Sequence, residues 1–314
     1  MGIKKQIAIV ALLIILITAM SGCTDTGNNT SNTTSSKYPL NITDDYGRII
    51  TINKAPERIV SLTPVNTEIL FALGLGDKVV GVTDYCNYPE EAKNKTKVGD
   101  IVNVNPEQVA AVNPDIIFAG SLTKKETAEK LDAMGYKTIA HDPRNQSGIR
   151  NSIMLIAKAC GAEDNATRLL ASMDARAKKI TDVTSSLDES KKPKVLVVVW
   201  HDPIYVAGSN CYGDDIVKLA GGINAASEVN DYGVMNTEAI IKANPDVIIV
   251  TIGEGMEVPY DYFKNASEPW MKDISAIKNG RVYKIDSDTI SRAGPRFPYA
   301  LEAMAKAIHP NLFK

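Results

Sequence analysis

Three histidines in 314 residues, His141, His201 and His309, are too few for a dedicated receptor of bare zinc or manganese held by several imidazoles. The cysteines show no metal-type spacing, and the chain has no nucleophile elbow, no His-Glu-x-x-His and no phosphate loop. Gly74-Leu-Gly-Asp-Lys-Val-Val-Gly81 misses the dinucleotide fingerprint by spacing; its glycines suit the end of a helix and the start of a strand. A secreted hydrolase-like α/β enzyme would need a nucleophile and a base within hydrogen-bond reach, and no motif offers the pair. Capture without chemistry is the class that fits, so neither a catalytic residue nor a catalytic cofactor is assigned.

The residues equipped for capture fall in four segments: Thr63-Pro-Val-Asn66, Thr83-Asp-Tyr85-Cys-Asn-Tyr88, Trp200-His201-Asp202 with Tyr205, and Asp288-Thr-Ile-Ser-Arg292-Ala-Gly-Pro-Arg296. An arginine beside a Gly-Pro turn grips carboxylate, amide or phosphate oxygens with paired N–H donors. The competing role for Arg292 and Arg296 is a surface ion pair with Asp286 or Asp288. Tyr85, Trp200 and Tyr205 offer stacking platforms, although an aromatic at a strand end packs a core as readily. His201, as a neutral imidazole, is suited to axial coordination of cobalt or haem iron, with an ordinary loop position as the alternative. His309, just before Pro310, is expected to be exposed.

Two carboxylates recur in matching phrases. Asn105-Pro-Glu107 runs into Asn113-Pro-Asp115-Ile-Ile-Phe118, and Asn236-Thr-Glu238 runs into Asn244-Pro-Asp246-Val-Ile-Ile249. Each phrase reads as a short Asn-capped helix feeding a buried parallel strand, which puts Glu107 and Glu238 in first helical turns. There the helix dipole favours a carboxylate by about 0.3–1 kcal/mol, one sufficient reason for the residue type. The functional reason is that carboxylates on equivalent tips of two lobes would dock onto a two-fold partner carrying cations.

These phrases belong to a longer alternation of strand and helix. Residues 59–62, 79–82, 116–119 and 137–140 read as strands, with helices over 68–73 and roughly 124–134, the rhythm of a parallel sheet. The first lobe should close near Gly161. Between Asp164 and Ser190 no Gly or Pro intervenes, and Leu170, Met173, Ala177, Ile180, Val183 and Leu187 recur every three or four residues. Such a helix would run about 40 Å, enough to bridge two lobes. Strands at 194–200, 246–250 and 281–285, and helices at 214–220 and 298–308, make the second lobe. The expected fold is therefore α/β: two Rossmann-like lobes with parallel-type sheets, at 38–163 and 191–314, joined by a single long rigid α-helix at 164–190. Open α/β sheets bind ligands beyond the carboxyl ends of their strands, so the four segments should line a cleft between the lobes.

Bulk properties agree. With 44% hydrophobic and 23% charged residues the composition is that of a globular α/β protein, and the length suits two lobes of about 120 residues. A net charge of -2 lacks the basic footprint that nucleic-acid binding requires, which excludes that class of partner. Lys4 and Lys5 precede an apolar run over 7–20 that is short for a bilayer span and right for a signal-peptide core, so residues 1–22 read as a lipoprotein signal peptide. The small residues before Cys23 resemble a lipobox, whose cysteine takes a diacylglycerol and becomes the new N-terminus; an uncleaved anchor is the alternative. Both put the folded part on the extracytoplasmic face of the cell membrane. Residues 23–37, rich in Ser, Thr and Asn, have nothing to bury and read as a disordered tether. Cys86, Cys160 and Cys211 then leave at most one internal disulfide.

Arg58-Ile-Val-Ser-Leu-Thr-Pro-Val-Asn-Thr-Glu68, Gly81-Val-Thr-Asp-Tyr85-Cys-Asn-Tyr-Pro89, Asn105-Pro-Glu107, Asn113-Pro-Asp115, Gly221-Gly222 and Arg292-Ala-Gly-Pro-Arg296 follow one another in that order. Together they resemble the substrate-binding lipoproteins of ABC importers for cobalamin and iron complexes, over about residues 40 to 310. The resemblance implies a class III periplasmic-binding-protein-like fold whose lobes move little on binding. It implies that Glu107 and Glu238 meet arginines on the two permease subunits, that Tyr85 contacts a corrin ring, and that Asp288 and Arg292 are an acidic and a basic cleft residue. Cobalamin receptors of this type can carry a tryptophan just before the first docking glutamate, where this chain has Asp100-Ile101. The implied function is a lipid-anchored, monomeric receptor that captures a bulky metal-containing nutrient, cobalamin or another corrinoid first, and delivers it to an ABC permease dimer with its ATPase. An iron-siderophore or haem receptor of the same family is the alternative; a ferric chelate would rely on Tyr85, Tyr205 and the arginines. A ligand-sensing module reporting to a membrane kinase is the other class.

Overall fold

Strands covered by helices on both faces read as unbroken apolar runs, and β3 (Ile59–Ser61), β5 (Ile116–Ala119) and β6 (Thr138–Ala140) are buried at every position. This is a computed structural model that describes residues 37–253 and 258–313. The expected signal peptide at 1–22, Cys23 and the tether as far as residue 36 lie outside the described residues. Among the described residues, no helix is long and apolar enough to cross a membrane.

The first lobe opens with a hairpin, β1 (Leu40–Thr43) and β2 (Ile49–Ile52), followed by a parallel sheet in the order β4-β3-β5-β6, where β4 is Val79–Val82. Its helices are α1 (Pro64–Ala72), α2 (Pro106–Ala111), α3 (Lys125–Ala133) and α4 (Gln146–Cys160). α1 begins sharply because the Thr63 hydroxyl accepts from the Asn66 amide and Pro64 needs no donor at the first position. It ends where Gly74 takes a φ of 75° that a β-carbon would resist.

α5 (Glu163–Thr184) joins the lobes. Ala166, Leu170, Met173, Ala177 and Ile180 bury one stripe, and the helix packs against α4 on one side and the last helix of the chain on the other. Its 22 residues run about 33 Å, shorter than the expected 164–190 helix. The cause is local. Short polar side chains compete for the backbone in Thr184-Ser185-Ser186 and Asp188: the Thr184 hydroxyl donates to the Leu219 carbonyl, and Asp188 turns back to accept from the Ser190 amide.

The second lobe contains β7 (Lys194–His201), β8 (Ile204–Ala207), α6 (Tyr212–Leu219), β9 (Ile223–Asn224), β10 (Tyr232–Val234), α7 (Thr237–Ala243), β11 (Val247–Ile252), α8 (Val258–Lys264), α9 (Ser275–Lys278), β12 (Val282–Asp286), α10 (Ser287–Ser291) and α11 (Phe297–Ile308). β7, β11 and β12 pair in parallel, whereas β8 and β10 add an antiparallel edge, so this sheet is mixed. The duplicated phrases occupy equivalent places. Asn113 and Asn244 end α2 and α7 at φ 45° and 43°, left-handed values that asparagine tolerates. One residue past the proline, Asp115 Oδ2 accepts the amides of Glu57 and Arg58 at 2.8 and 3.0 Å, and Asp246 Oδ2 accepts that of Lys194 at 2.8 Å. Each aspartate therefore pins the start of the neighbouring central strand.

A contiguous apolar cluster runs through both lobes, taking in Ile69 and Leu70 of α1, Ile153 of α4, Leu170 and Met173 of α5, and Phe297, Leu301 and Met304 of α11. The lobes thus share one helical layer of core, while each keeps a cluster of its own, around Val60, Ile117 and Leu131 in the first lobe and Leu196, Ile248 and Phe263 in the second. Leu170→Ala, deep in that layer, should cost about 2–4 kcal/mol of stability, read from urea unfolding midpoints. A loss under about 0.5 kcal/mol, the scale of a surface substitution, would show that α5 does not bind the lobes together.

Candidate functional site

Glu68 lies in the middle of apolar α1, its side chain only 1% exposed, and burial of a carboxylate demands cations and hydrogen bonds. Both come from the other lobe. Arg296, at the start of α11, grips it with two prongs, Nε to Oε2 at 2.9 Å and Nη2 to Oε1 at 2.7 Å; Arg292 Nη1 donates to Oε1 at 3.1 Å. Arg292 also pairs with Asp288 at 2.8 Å and donates to Asn87 Oδ1 at 2.7 Å, while Asn87 Nδ2 donates to Asp288 Oδ2 at 3.0 Å. Two guanidinium groups face two carboxylates, so the cluster is neutral. Burial opposes the charge of Arg296, yet its hydrogen bonds to Glu68 and the charges of Glu68, Asp288 and Asp286 hold its pKa above the ordinary value. The arginines therefore have a protein partner that sequence reading did not single out; Asp286 instead caps α10 through the Thr289 amide at 2.8 Å.

Beside this cluster lies a partly open cavity of about 540 Å³ walled by both lobes. Its residues follow strand ends: Thr63 to Asn66 after β3, Gly120 to Leu122 after β5, and His141 to Arg144 after β6. The second lobe supplies Cys211 and Tyr212 at the start of α6, Asp231 and Tyr232 at β10, and Ser291 to Ala293. An ion pair crosses it between the lobes, Arg144 Nη1 to Asp231 Oδ2 at 2.7 Å, and the Gln146 amide donates to Asp215 Oδ2 at 2.7 Å nearby.

Of the residues expected in the cleft, Asn66 and Arg292 line this cavity. Tyr85 and Asp288 do not line it but adjoin Arg292, through the Tyr85 carbonyl at 3.4 Å and the Asp288 ion pair. Arg296 faces a second hollow of about 610 Å³ on the other side of Glu68, its guanidinium 4.5 Å from the Tyr88 ring centroid. Trp200, His201 and Tyr205 line neither. Trp200 and Tyr205 pair across the β7–β8 hairpin, Trp200 Nε1 donates to the Asp202 carbonyl at 3.0 Å, and the His201 ring packs between Trp200 and Tyr262 at centroid distances of 5.2 and 5.1 Å. The antiparallel hairpin, which sequence reading did not register, accounts for that separate aromatic group.

His141, Tyr212 and Tyr232 were missed. His141 directly follows the expected strand at 137–140, so the strand-end rule applied once more would have found it; Tyr212 carries no local signal. Burial pushes the His141 pKa down to about 4, against the upward pull of Asp45 and Asp142, so the ring is neutral at pH 7. Burial raises the Tyr212 phenol well above its ordinary value, so it keeps its proton, and it also raises the Cys211 thiol. His309, expected exposed, is partly buried, with Nε2 3.0 Å from the Gly221 carbonyl. No disulfide joins any two of Cys86, Cys160 and Cys211. Among the described residues no group of three or more His, Cys, Asp or Glu is arranged to hold a metal ion.

Glu107 and Glu238 stand in the first turns of α2 and α7, capped by Asn105 and Asn236. A crossover helix runs against its strands, so a first-turn residue lies toward the carboxyl edge of the sheet, the cleft side. Both are exposed; Glu107 has Lys130 at 3.5 Å, and Glu238 meets the Thr237 hydroxyl at 3.3 Å.

A family model described as periplasmic binding protein matches residues 59–289. The sequence is 34% identical to YvrC of Bacillus subtilis, an uncharacterized ABC transporter substrate-binding lipoprotein, over 99% of each chain. It is 26% identical to a vitamin B12-binding protein of Vibrio vulnificus over 82% of this chain and 92% of that one. Among solved structures, the periplasmic heme-binding protein RhuT from Roseiflexus, in its apo form, superposes with a TM-score of 0.72 at 28% identity, covering 81% of this chain and 98% of that one.

Glu68→Ala removes the shared carboxylate of buried Arg292 and half-buried Arg296 and should cost about 3 kcal/mol, whereas replacing Glu68, Arg292 and Arg296 together by apolar residues of similar volume should recover most of it. Equal losses in the two proteins, by urea unfolding, would refute the charge explanation. For His141 the folded pKa lies below the unfolded 6.5, so its contribution is complete above pH 6.5 and is lost as pH falls toward 4, because the unfolded chain takes the proton first. The expected loss is on the order of 3 kcal/mol. His141→Gln should flatten the stability profile between pH 6.5 and 4; a profile as steep as the parent's would assign the acid sensitivity to other groups.

Proposed function

This chain belongs to the periplasmic binding protein family, and we propose that it captures a bulky metal-containing nutrient, a corrinoid first of all, for delivery to an ABC permease. It is a transport receptor and not an enzyme. The observation that carries the ligand reading is the cavity of about 540 Å³ walled by strand ends of the first lobe and by the start of α6, the start of β10 and the end of α10 in the second. That volume lies within the range of small-molecule and cofactor sites, about 300–1,000 Å³. Because the cavity is partly open, a ligand larger than it would project past the rim, where Tyr85, 56% exposed, and Asp288 adjoin Arg292. We assign those two to the projecting part of the ligand, and Asn66 and Arg292 to the wall. The relative that binds vitamin B12 supports a corrinoid. The heme-binding fold neighbour favours the second reading, haem or another ferric complex.

The partner is a permease dimer with its ATPase, met by Glu107 and Glu238, and the receptor acts as a monomer on the extracytoplasmic face, held by lipid on Cys23. Matched positions, exposure and the cleft-side location of both first turns support the docking role. The shared helical core supports delivery without wide opening of the lobes, since parting them would break that layer.

The purified protein, in detergent micelles, should bind cyanocobalamin with sub-micromolar affinity in a titration that also includes haem and ferric citrate; binding of none of the three would remove the metal-nutrient reading. Replacing Glu107 and Glu238 together by alanine should abolish uptake in cells while leaving ligand affinity unchanged. A fall in affinity instead would relocate the two carboxylates to the ligand site.

A further inference from the structure

Two charge contacts tie the lobes beside the first cavity, and they hang from different elements. Glu68 of α1 meets Arg292 and Arg296, which follow α10 and the edge strand β12. Arg144 follows β6, an edge strand of the first sheet, and meets Asp231, which immediately precedes β10, the other edge strand of the second. Burial separates the two contacts. The side chains of Glu68, Arg292 and Arg296 are 1%, 10% and 18% exposed, those of Arg144 and Asp231 48% and 38%. Because Arg144 and Asp231 are open to solvent and also line the cavity, their pair stands at its rim.

What opening leaves behind differs as well. Parting the Glu68 trio strands buried charges, which is costly. Parting Arg144 from Asp231 strands none: Arg144 Nε keeps Asp142 Oδ2 at 2.8 Å, and water reaches both released groups. A neighbouring tie is the Gln146 amide, which donates to Asp215 Oδ2 at 2.7 Å from one lobe to the other. Asp231 is held from within its own lobe. Its amide donates to the Ser209 carbonyl at 2.7 Å, its carbonyl accepts from the Gly208 amide at 2.8 Å, and its φ of 60° suits an aspartate or asparagine. The fold therefore presents the carboxylate to Arg144 and does not depend on the pair to place it.

We propose that the pair of Arg144 and Asp231, with the bond from Gln146 to Asp215 beside it, is a latch at which the cavity opens to pass a guest while the Glu68 trio and the core around α5 stay closed. The strength of an exposed ion pair fits this, since a contact worth little breaks often and re-forms. The opening is a local parting of one rim and leaves the shared helical layer intact. The latch itself follows from the fold; its use by a guest rests on the receptor reading.

Hydrogen exchange reads the latch with no guest present, because the Gln146 amide is bonded from one lobe to the other. In the full-length protein in detergent, Gln146 should be protected at least about tenfold less than Glu68 and Ile69 of α1. Asp231→Asn, which keeps a residue suited to a φ of 60°, and Arg144→Gln should each speed exchange at Gln146 about two- to fivefold and leave Glu68 and Ile69 unchanged. Protection of Gln146 equal to that of Glu68, no change in the variants, or equal acceleration at all three amides overturns the latch. With cyanocobalamin, haem and ferric citrate as probes, association and dissociation of whichever binds should both quicken in Asp231→Asn by about the same two- to fivefold, leaving affinity within about twofold of the parent. Faster dissociation with affinity lost in proportion would make the pair a guest contact, and unchanged rates would route the guest elsewhere; either overturns the latch as a passage. Binding of none of the three removes the receptor reading and the passage of a guest with it, and the exchange measurement still decides whether the rim opens.

Discussion

A single buried carboxylate, Glu68, sets the relation between the two lobes. It sits in apolar α1, where water cannot solvate it, and the cations that stabilise it come from α11 and the turn before it. The cost of leaving any member of the trio unpaired is high, which makes separation of the lobes at this edge unfavourable. The same trio divides the interlobe space in two, with Arg292 on the wall of one cavity and Arg296 and Glu68 on the wall of the other. Both arginines therefore bind protein, and Arg292 at the same time lines the first cavity.

Two other constraints keep that geometry. α5 lays its stripe against helices of both lobes in a shared core. In each lobe an aspartate after a left-handed asparagine hooks the backbone of the central strand, so the helices bearing Glu107 and Glu238 enter their sheets by the same route. The first-turn positions of Glu107 and Glu238 thus lie at equivalent places on two lobes tied by one core.

Much of this was legible in the sequence. Asn-Pro-Asp repeats carry their own geometry, because asparagine tolerates the left-handed turn and the aspartate bonds a backbone group close by. Unbroken apolar runs marked the buried parallel strands. The absence of Gly and Pro does not make a helix continuous, and α5 ends at Thr184 because Thr184, Ser185 and Asp188 compete for the backbone. A glutamate inside Thr67-Glu68-Ile69-Leu70 announces that a buried charge needs a partner, yet nothing in the sequence says that the partners lie more than 220 residues away.

The sequence by itself determined the class of protein: the alternation of helix and strand, the repeated phrase, the paired first-turn glutamates and the family motif depend on contacts within a turn or between adjacent elements, which a one-dimensional pattern records. Tertiary structure alone decided which side chains wall the cavity. Glu68 paired with Arg292 and Arg296, of which Arg292 lines the cavity, a hairpin set Trp200 and Tyr205 apart from it, and Asn66, His141 and Tyr212 joined its wall, because burial and partnership arise from surfaces brought together across the whole chain and leave no local trace.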